Sequence, residues 1–314
     1  MEKNSHKNLL VSVGIPVYNG SKYILEALKS IEQQDYNFLE IIIIDDGSTD
    51  NSSEICEIWK SKSNLPVKFF KNEKNKGLCY TCNKILKHSE GFYLQLFGQD
   101  DIMTPTKISD DVAFFLKNDN KPGFIYSQVE LINESGESIK EDYNNRINFK
   151  DNFSKTIFEK LIEQNFIPAP TVLMRTELIK NLNGFNEDFL YEDWQMWLKI
   201  ARNYEVLKHS VCNVKYRIHS QSIMGRDFPD KEILRNRAAI KIFSEYKKDP
   251  VYAEVIELKL KSLAIYSYFL GDNQAVGFLK ETLRNKFSFK IQVYYLFTLL
   301  RLPHPGKWFA KQDG

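Results

Sequence analysis

Cysteine is scarce: the 314 residues include four, at 56, 79, 82 and 212. Cys79 and Cys82 form one CxxC, but no second pair exists to complete a zinc site. A redox CxxC wants an exposed helix start. The competing reading, two small apolar residues on a helix that packs inward, suits the surrounding sequence better. Reduced thiols fit a cytosolic protein. Long apolar runs are also missing. The most apolar stretch of the tail, Ile291–Leu300, is ten residues between Lys290 and Arg301, whereas a membrane-spanning helix needs about 20. Met1–Asn8 is polar and has no signal-peptide pattern. Nor is there a basic surplus: the net charge is +2, which argues against nucleic acid as the main partner. No GxGxxG follows the first expected strand, which disfavours a nicotinamide dehydrogenase.

What is present is an ordinary globular balance, 43% hydrophobic and 27% charged, in a chain long enough for one large α/β domain and an appendage. Strand-like and helix-like segments alternate over the first hundred residues. Leu10–Ile15 is β-rich, and Ile24, Leu25, Leu28 and Ile31 follow at helical spacing. The four isoleucines Ile41–Ile44 suit a strand buried on both faces. Val67–Phe70 and Phe92–Phe97 are further strands, and Gly77 opens the helix between them. This alternation predicts a mostly parallel sheet with helices on both faces, and a ligand beyond the carboxyl ends of the strands. Farther on, Gly123–Ile132 and Val211–Ile218 are strand-like, Asn144–Phe153 reads as a mobile polar loop, and a helix starts near Tyr191. After Pro229 the pattern is helical, with a hairpin around Gly271-Asp272-Asn273 similar to one tetratricopeptide-type repeat. The expected domains are 1–228 and 229–314. From Lys280 onward seven Lys/Arg face two acids, a local net of +5 among many aromatics. That pattern fits either a membrane-surface tail or a solvated helix end.

Several polar motifs lie where strands end. Asp45-Asp46 follows the isoleucine run, so both carboxylates are held at the sheet's carboxyl end. A carboxylate only accepts hydrogen bonds, which suits a nucleobase N–H; the same pair would also serve as a turn and helix cap. Gln99-Asp100-Asp101 follows the fourth strand. Acids there suit a divalent ion that neutralises a leaving diphosphate, or are solvated loop acids. Glu192-Asp193 opens a helix, where acids are favoured by the helix dipole in any case. His219 ends a strand.

Taken in order, Pro16-Val17-Tyr18-Asn19, Asp45-Asp46-Gly47-Ser48-Thr49-Asp50, Asn75-Lys76-Gly77, Gln99-Asp100-Asp101 and Glu192-Asp193 resemble family 2 glycosyltransferases. Members of that family have the GT-A fold, a Rossmann-like nucleotide-binding sheet with flanking helices, and invert the anomeric centre. The resemblance covers about residues 9–226 and leaves a C-terminal helical appendage. It implies that Pro16, Tyr18, Asn19, Asp46, Lys76, Asp100 and Arg226 contact the nucleotide-sugar donor, with Asp46 reading uracil. Mn²⁺ or Mg²⁺ is expected on Asp101 and Asp100, with His219 as a further metal or phosphate contact. Asp193 matches the general base, with Glu192 orienting it. Removing Asp46 is expected to weaken UDP binding and leave the fold intact. Trp194 and Trp197 are placed as walls of an acceptor pocket. The sequence departs from the family's DxD pattern at Gly98, where its first Asp is expected. The Gln-x-x-Arg-Trp motif of processive synthases is missing, which favours one sugar per visit. The resemblance implies a cytoplasmic enzyme at the inner face of the membrane. It would act on a glycan or lipid-linked glycan acceptor in bacterial surface polysaccharide synthesis and touch anionic lipid through its tail. The alternatives are a non-catalytic nucleotide- or glycan-binding homologue and a sugar nucleotidyltransferase. The latter usually has a Gly-rich phosphate loop that Pro16-Val17-Tyr18-Asn19 does not provide.

Overall fold

The computed structural model describes residues 9–118, 121–189, 193–222, 230–285 and 289–300. The chain divides into two units, Met1–Gly225 and Arg226–Gly314. The first is built on β1 (Val11–Val17), β2 (Leu39–Asp45), β3 (Val67–Lys71), β4 (Tyr93–Leu96), β5 (Ile102–Met103), β6 (Phe124–Ile132), β7 (Leu173–Arg175) and β8 (Val206–Arg217). They form one sheet in the order β3-β2-β1-β4-β7-β6-β8-β5. β1 pairs parallel with β2 and β4, β2 with β3, and β6 with β8, while β7 runs against both β4 and β6. Strands β1, β2, β3, β4, β6 and β8 therefore point one way, and their carboxyl ends share one edge. β5 runs against β8.

The helices of this unit are α1 (Ile24–Glu32), α2 (Ser52–Lys62), α3 (Leu78–His88), α4 (Lys107–Lys117), α5 (Tyr143–Arg146), α6 (Ile157–Glu163), α7 (Thr176–Asn181) and α8 (Asp193–Asn203). Ile41–Ile44 are fully buried, as a strand covered on both faces requires. Ile24, Ala27, Leu28 and Ile31 form the inward face of α1. Cys79 and Cys82 are buried on α3. β7 has three residues, too short to leave an alternation in the sequence. The stretch Asn144–Phe153 is more ordered than its polarity suggests. The Asp142 carboxylate caps α5 by accepting from Asn144 N–H at 2.8 Å, and Phe149 stacks on Phe166 with centroids 4.4 Å apart.

A buried ion pair ties one helix to the sheet. The Lys107 ammonium, fully buried, donates to Asp111 Oδ2 at 2.5 Å and to Gln95 Oε1 at 2.5 Å. Asn213 donates to Asp111 Oδ1 at 3.0 Å, and His209 Nδ1 lies 3.2 Å from the same oxygen. Burial raises the Asp111 pKa, but Lys107, His209 and Asn213 outweigh it and hold the carboxyl below its ordinary range. These bonds tie α4 to the sheet, and a buried charge needs such pairing.

The second unit contains α9 (Lys231–Ser244), α10 (Ala253–Phe269), α11 (Ala275–Asn285) and α12 (Phe289–Leu299). α10 and α11 form the hairpin expected around Gly271-Asp272-Asn273. The buried Asp272 carboxylate accepts from Arg237 and from Gln274 N–H at 2.8 Å, which fixes the turn. Among the described residues no helix is long and apolar enough to cross a membrane.

Candidate active site

The carboxyl ends of β1, β2 and β4 are adjacent, since Pro16 is registered with Ile44 and Gly14 with Leu96. The loops that leave them are joined by side chains. Asp45 Oδ1 accepts from Ser48 N–H at 3.0 Å and holds the turn after β2. Asn19, with a left-handed φ of 50°, accepts from Thr49 N–H at 2.8 Å, and its own N–H donates to Ser48 Oγ at 3.0 Å. Asp50 receives Ser21 N–H and Ser52 N–H, each at 3.0 Å.

Asp46 is buried and heavily engaged. Its Oδ1 accepts from Asn72 Nδ2 at 2.8 Å and from Lys76 N–H at 2.9 Å, and its Oδ2 accepts from Gly77 N–H at 2.9 Å. The carboxylate thus holds the 72–77 loop beside the β2 turn. This corrects the expectation that Asp46 can be removed without cost to the fold, because three donors would lose their acceptor. Lys76 is exposed, and its ammonium lies 5.9 Å from the Tyr80 ring. Pro16 and Tyr18 are half-buried at the end of β1.

Asp100 and Asp101 form the turn after β4. Asp101 is 3% exposed. Its Oδ1 accepts from Arg217 N–H at 3.0 Å. Burial, and then the neighbouring Asp100 charge, pushes its carboxyl well above the ordinary carboxylate range. Asp100 Oδ2 lies 2.7 Å from His219 Nε2, and the His219 ring packs against Tyr23 at 4.8 Å. The other two oxygens converge on Gly98. A Cβ there would lie 2.5 Å from Asp101 Oδ2 and 3.0 Å from Asp100 Oδ1. Glycine at 98 is thus what lets both oxygens face one small volume.

Arg217, which the sequence reading passes over for His219, proves central. Its Nε donates to Asp100 O at 2.8 Å, and its Nη1 to Asn133 O at 3.1 Å and Glu134 O at 3.2 Å. Its Nη2 donates to Glu26 Oε2 at 2.5 Å, and the guanidinium lies 4.7 Å from the Tyr23 ring centroid. Gln99, part of the Gln99-Asp100-Asp101 motif, has no role of its own in the sequence. Its amide meets both backbone groups of Tyr18, accepting from N–H at 3.0 Å and donating to C=O at 3.1 Å. The signal for Arg217 was a lone arginine at the buried end of a strand; for Gln99 it was only its place before the two acids.

Asp193 begins α8. Its Oδ2 accepts from Asn165 Nδ2 at 2.8 Å and its Oδ1 from Trp194 N–H at 2.6 Å. Tyr216 lies in the field of both carboxylate groups. Burial first, then Asp101, Tyr143, Asp100 and Asp193, pushes its hydroxyl pKa upward. The Tyr143 ring meets it edge-on at 5.9 Å. Trp194 is half-buried and donates from Nε1 to Leu161 O at 2.9 Å. Trp197 is core: it is 2% exposed and packs on Phe124 at 4.8 Å, so it walls no pocket. Glu192 and Arg226 lie outside the described residues. Asp46, Asp100, Asp101 and His219 therefore sit on one edge of the sheet, and the charges of Asp193, Asp100 and Asp101 all act on the buried Tyr216 hydroxyl.

The eight-stranded mixed sheet flanked by helices is the GT-A glycosyltransferase fold. A family model described as Glycosyl transferase family 2 matches residues 12–182, and the chain belongs to that family. Uncharacterised glycosyltransferases of Rickettsia species are 28–31% identical over 67–70% of this chain, which spans 30–67% of their lengths. The Escherichia coli protein WfgD, named UDP-Glc:alpha-D-GlcNAc-diphosphoundecaprenol beta-1,3-glucosyltransferase, is 29% identical over 77% of this chain and 90% of its own. Staphylococcus aureus TarS 1-349, solved with UDP-GlcNAc, superposes with a TM-score of 0.63 at 21% identity, covering 93% of this chain and 80% of that one. The mannosyltransferase PcManGT of Pyrobaculum calidifontis, solved with GDP-Man and Mn²⁺, superposes with a TM-score of 0.61 at 17% identity, covering 93% and 84%.

Proposed function

We propose that this glycosyltransferase moves one sugar from a UDP-sugar to a hydroxyl of a glycan or lipid-linked glycan, with inversion, in the synthesis of a bacterial surface polysaccharide. The observation that carries the reading is the pair of carboxylate oxygens of Asp100 and Asp101 facing one volume above Gly98. Two acids so placed, one of them buried, repel each other and fit a divalent cation. Among the described residues no three His, Cys, Asp or Glu side chains could hold an ion alone. An ion shared with a diphosphate needs only one or two carboxylates. Asp101 and Asp100 would hold Mn²⁺ or Mg²⁺, which as a Lewis acid would neutralise charge on the leaving diphosphate, while His219, expected from the sequence as a further ligand, lies 2.7 Å from Asp100 Oδ2 and would steady that carboxylate.

The remaining roles belong to the chain. Tyr18, Asn19 and Asp46 border the end of the site assigned to the base, and Lys76 offers a cation at the rim. Glu192 and Arg226 keep the roles that the resemblance implies, as partner of the base and as a diphosphate contact. Asp193 is the base. A hydroxyl is a weak nucleophile, and taking its proton during attack lowers the barrier. Asn165 holds one oxygen of Asp193 and Trp194 N–H the other, which fixes the carboxylate. The name of WfgD supports a UDP-linked donor and a lipid-linked acceptor. The test is a panel of nucleotide sugars with Mn²⁺, read as UDP release and as the anomeric configuration of the product by NMR. UDP release that depends on Mn²⁺ and is lost in Asp101→Asn is expected. Full activity in excess chelator, or a retained configuration, overturns the reading.

A further inference from the structure

Gln99 stands between the two ends of the proposed donor site. Its amide pairs with Tyr18 as a neighbouring strand would, receiving the N–H at 3.0 Å and donating to the C=O at 3.1 Å. Only glutamine does this at that reach. Asparagine is one methylene shorter, and glutamate has no donor for the carbonyl. The contact is tight: a Cβ on Gly20 would lie 2.2 Å from Gln99 Oε1, 2.4 Å from Cδ and 2.9 Å from Nε2. The opposite flank of the same loop is bound to the turn after β2, through Asn19 N–H on Ser48 at 3.0 Å, Gly20 N–H on Ser52 at 2.8 Å and Ser21 N–H on Asp50 at 3.0 Å. Gln99 is the next residue before Asp100 and Asp101. One side chain therefore ties the Tyr18–Asn19 loop to the two carboxylates.

We propose that Gln99 is a positioning residue that holds the nucleoside end and the diphosphate end of the donor site in fixed register, so that a nucleoside diphosphate binds as one unit. The inference rests on the donor site proposed above. A ligand that spans two loops gains from their being fixed beforehand, because it need not order them on binding. A ligand that meets one loop gains less. Loss of the clamp should therefore weaken UDP more than uridine.

The test is calorimetry of the full chain with UDP in Mn²⁺, and with uridine alone, for wild type, Gln99→Ala, Gln99→Glu and Asp101→Asn. In Gln99→Ala, UDP affinity is expected to fall about tenfold or more and uridine affinity less than about threefold. Gln99→Glu keeps the acceptor for Tyr18 N–H, loses the donor and adds a third carboxylate beside Asp100 and Asp101. It should lose at least as much UDP affinity as Gln99→Ala. Equal fractional losses for UDP and uridine would mean that the substitution only disorders the Tyr18 loop, and would overturn the proposal. So would UDP affinity at the wild-type level in Gln99→Ala, where Asp101→Asn has lost it. A wild-type protein that ignores UDP in Mn²⁺ would instead sink the donor site itself, and this inference with it.

Discussion

Arg217→Met tests whether the Asp100–Asp101 turn is held by its surroundings. Methionine is of similar length and has no donors. The substitution leaves the carbonyls of Asp100, Asn133 and Glu134 without the guanidinium that meets them at 2.8, 3.1 and 3.2 Å. A buried group so orphaned costs about 1–3 kcal/mol. Asp100 and Asn133 are half-buried and Glu134 is exposed, so the low end is the ceiling for each and the sum is at most about 3 kcal/mol. The bond to Glu26 adds less, because the Glu26 side chain is 52% exposed although that of Arg217 is 1% exposed, and screening by water holds such a pair to about 1 kcal/mol. For a unit of this size, 1 kcal/mol shifts Tm by about 2–4 °C, so a drop of up to roughly 6–12 °C is expected by circular dichroism. Glu26→Gln should stay within about 4 °C of wild type by the same reasoning. Backbone N–H of residue 217 still reaches Asp101 in the variant, so any weakening of UDP·Mn²⁺ binding reports the displaced Asp100 carbonyl. If Arg217→Met melts within about 2 °C of wild type, the guanidinium does not hold the turn and the reasoning fails.

Asp193→Asn should lower turnover by roughly 10²–10⁴ while UDP affinity stays near normal, since it keeps the size of the base and cannot take the proton; Glu192→Gln should hurt less, and a fully active Asp193→Asn enzyme removes the base. Asp46→Ala should weaken UDP binding and also lower stability, each by about 1–3 kcal/mol, and unchanged UDP affinity in calorimetry would leave Asp46 a structural residue alone. Acid should destabilise the first unit through Asp111. Its folded pKa lies below its unfolded one, so its contribution is complete above about pH 4 and is lost as pH falls through the folded value. Urea melts of wild type and Asp111→Asn from pH 6 downward check this, and equal pH slopes would refute it. The tail, with exposed Leu296, Leu299 and Leu300 at the end of α12 and its basic excess, should bind anionic vesicles weakly and lose them in salt; an intact protein that ignores such vesicles at low salt shows the tail to be packing.

Much of the parallel part of the fold was legible because β1, β2 and β4 are buried on both faces and the helices beside them on one. Ile41–Ile44, a short apolar run closed by the Asp45-Asp46-Gly47 turn, and the helical Ile24–Ile31 spacing both match the elements observed. The other half was less legible. β7 has three residues and β5 two, and neither length allows a period to repeat. The acids of the site were legible because carboxylates at strand ends are few and their chemistry is narrow. Their supports were not. Gln99, Arg217 and Asn165 act by bonds to backbone or to one side chain far off in sequence, and such bonds follow no spacing. Trp197 was misplaced for a related reason: its helix turns the expected pocket wall toward Phe124.

The departure at Gly98 and the glutamine beside it belong together. A side chain at 98 would occupy the volume that Asp100 Oδ1 and Asp101 Oδ2 now share, so glycine there keeps both oxygens available at the cost of one acid. Glycine also loosens a backbone, and this turn must hold two repelling carboxylates in place. Gln99 fixes the turn's entry to Tyr18, and Arg217 fixes the Asp100 carbonyl and the Asp101 carboxylate. A glycine flanked by two such anchors can stay open without being mobile. The turn is thus held by what grips its neighbours, and each acid gives one oxygen to the scaffold, Asp101 to Arg217 N–H and Asp100 to His219, and keeps the other facing Gly98.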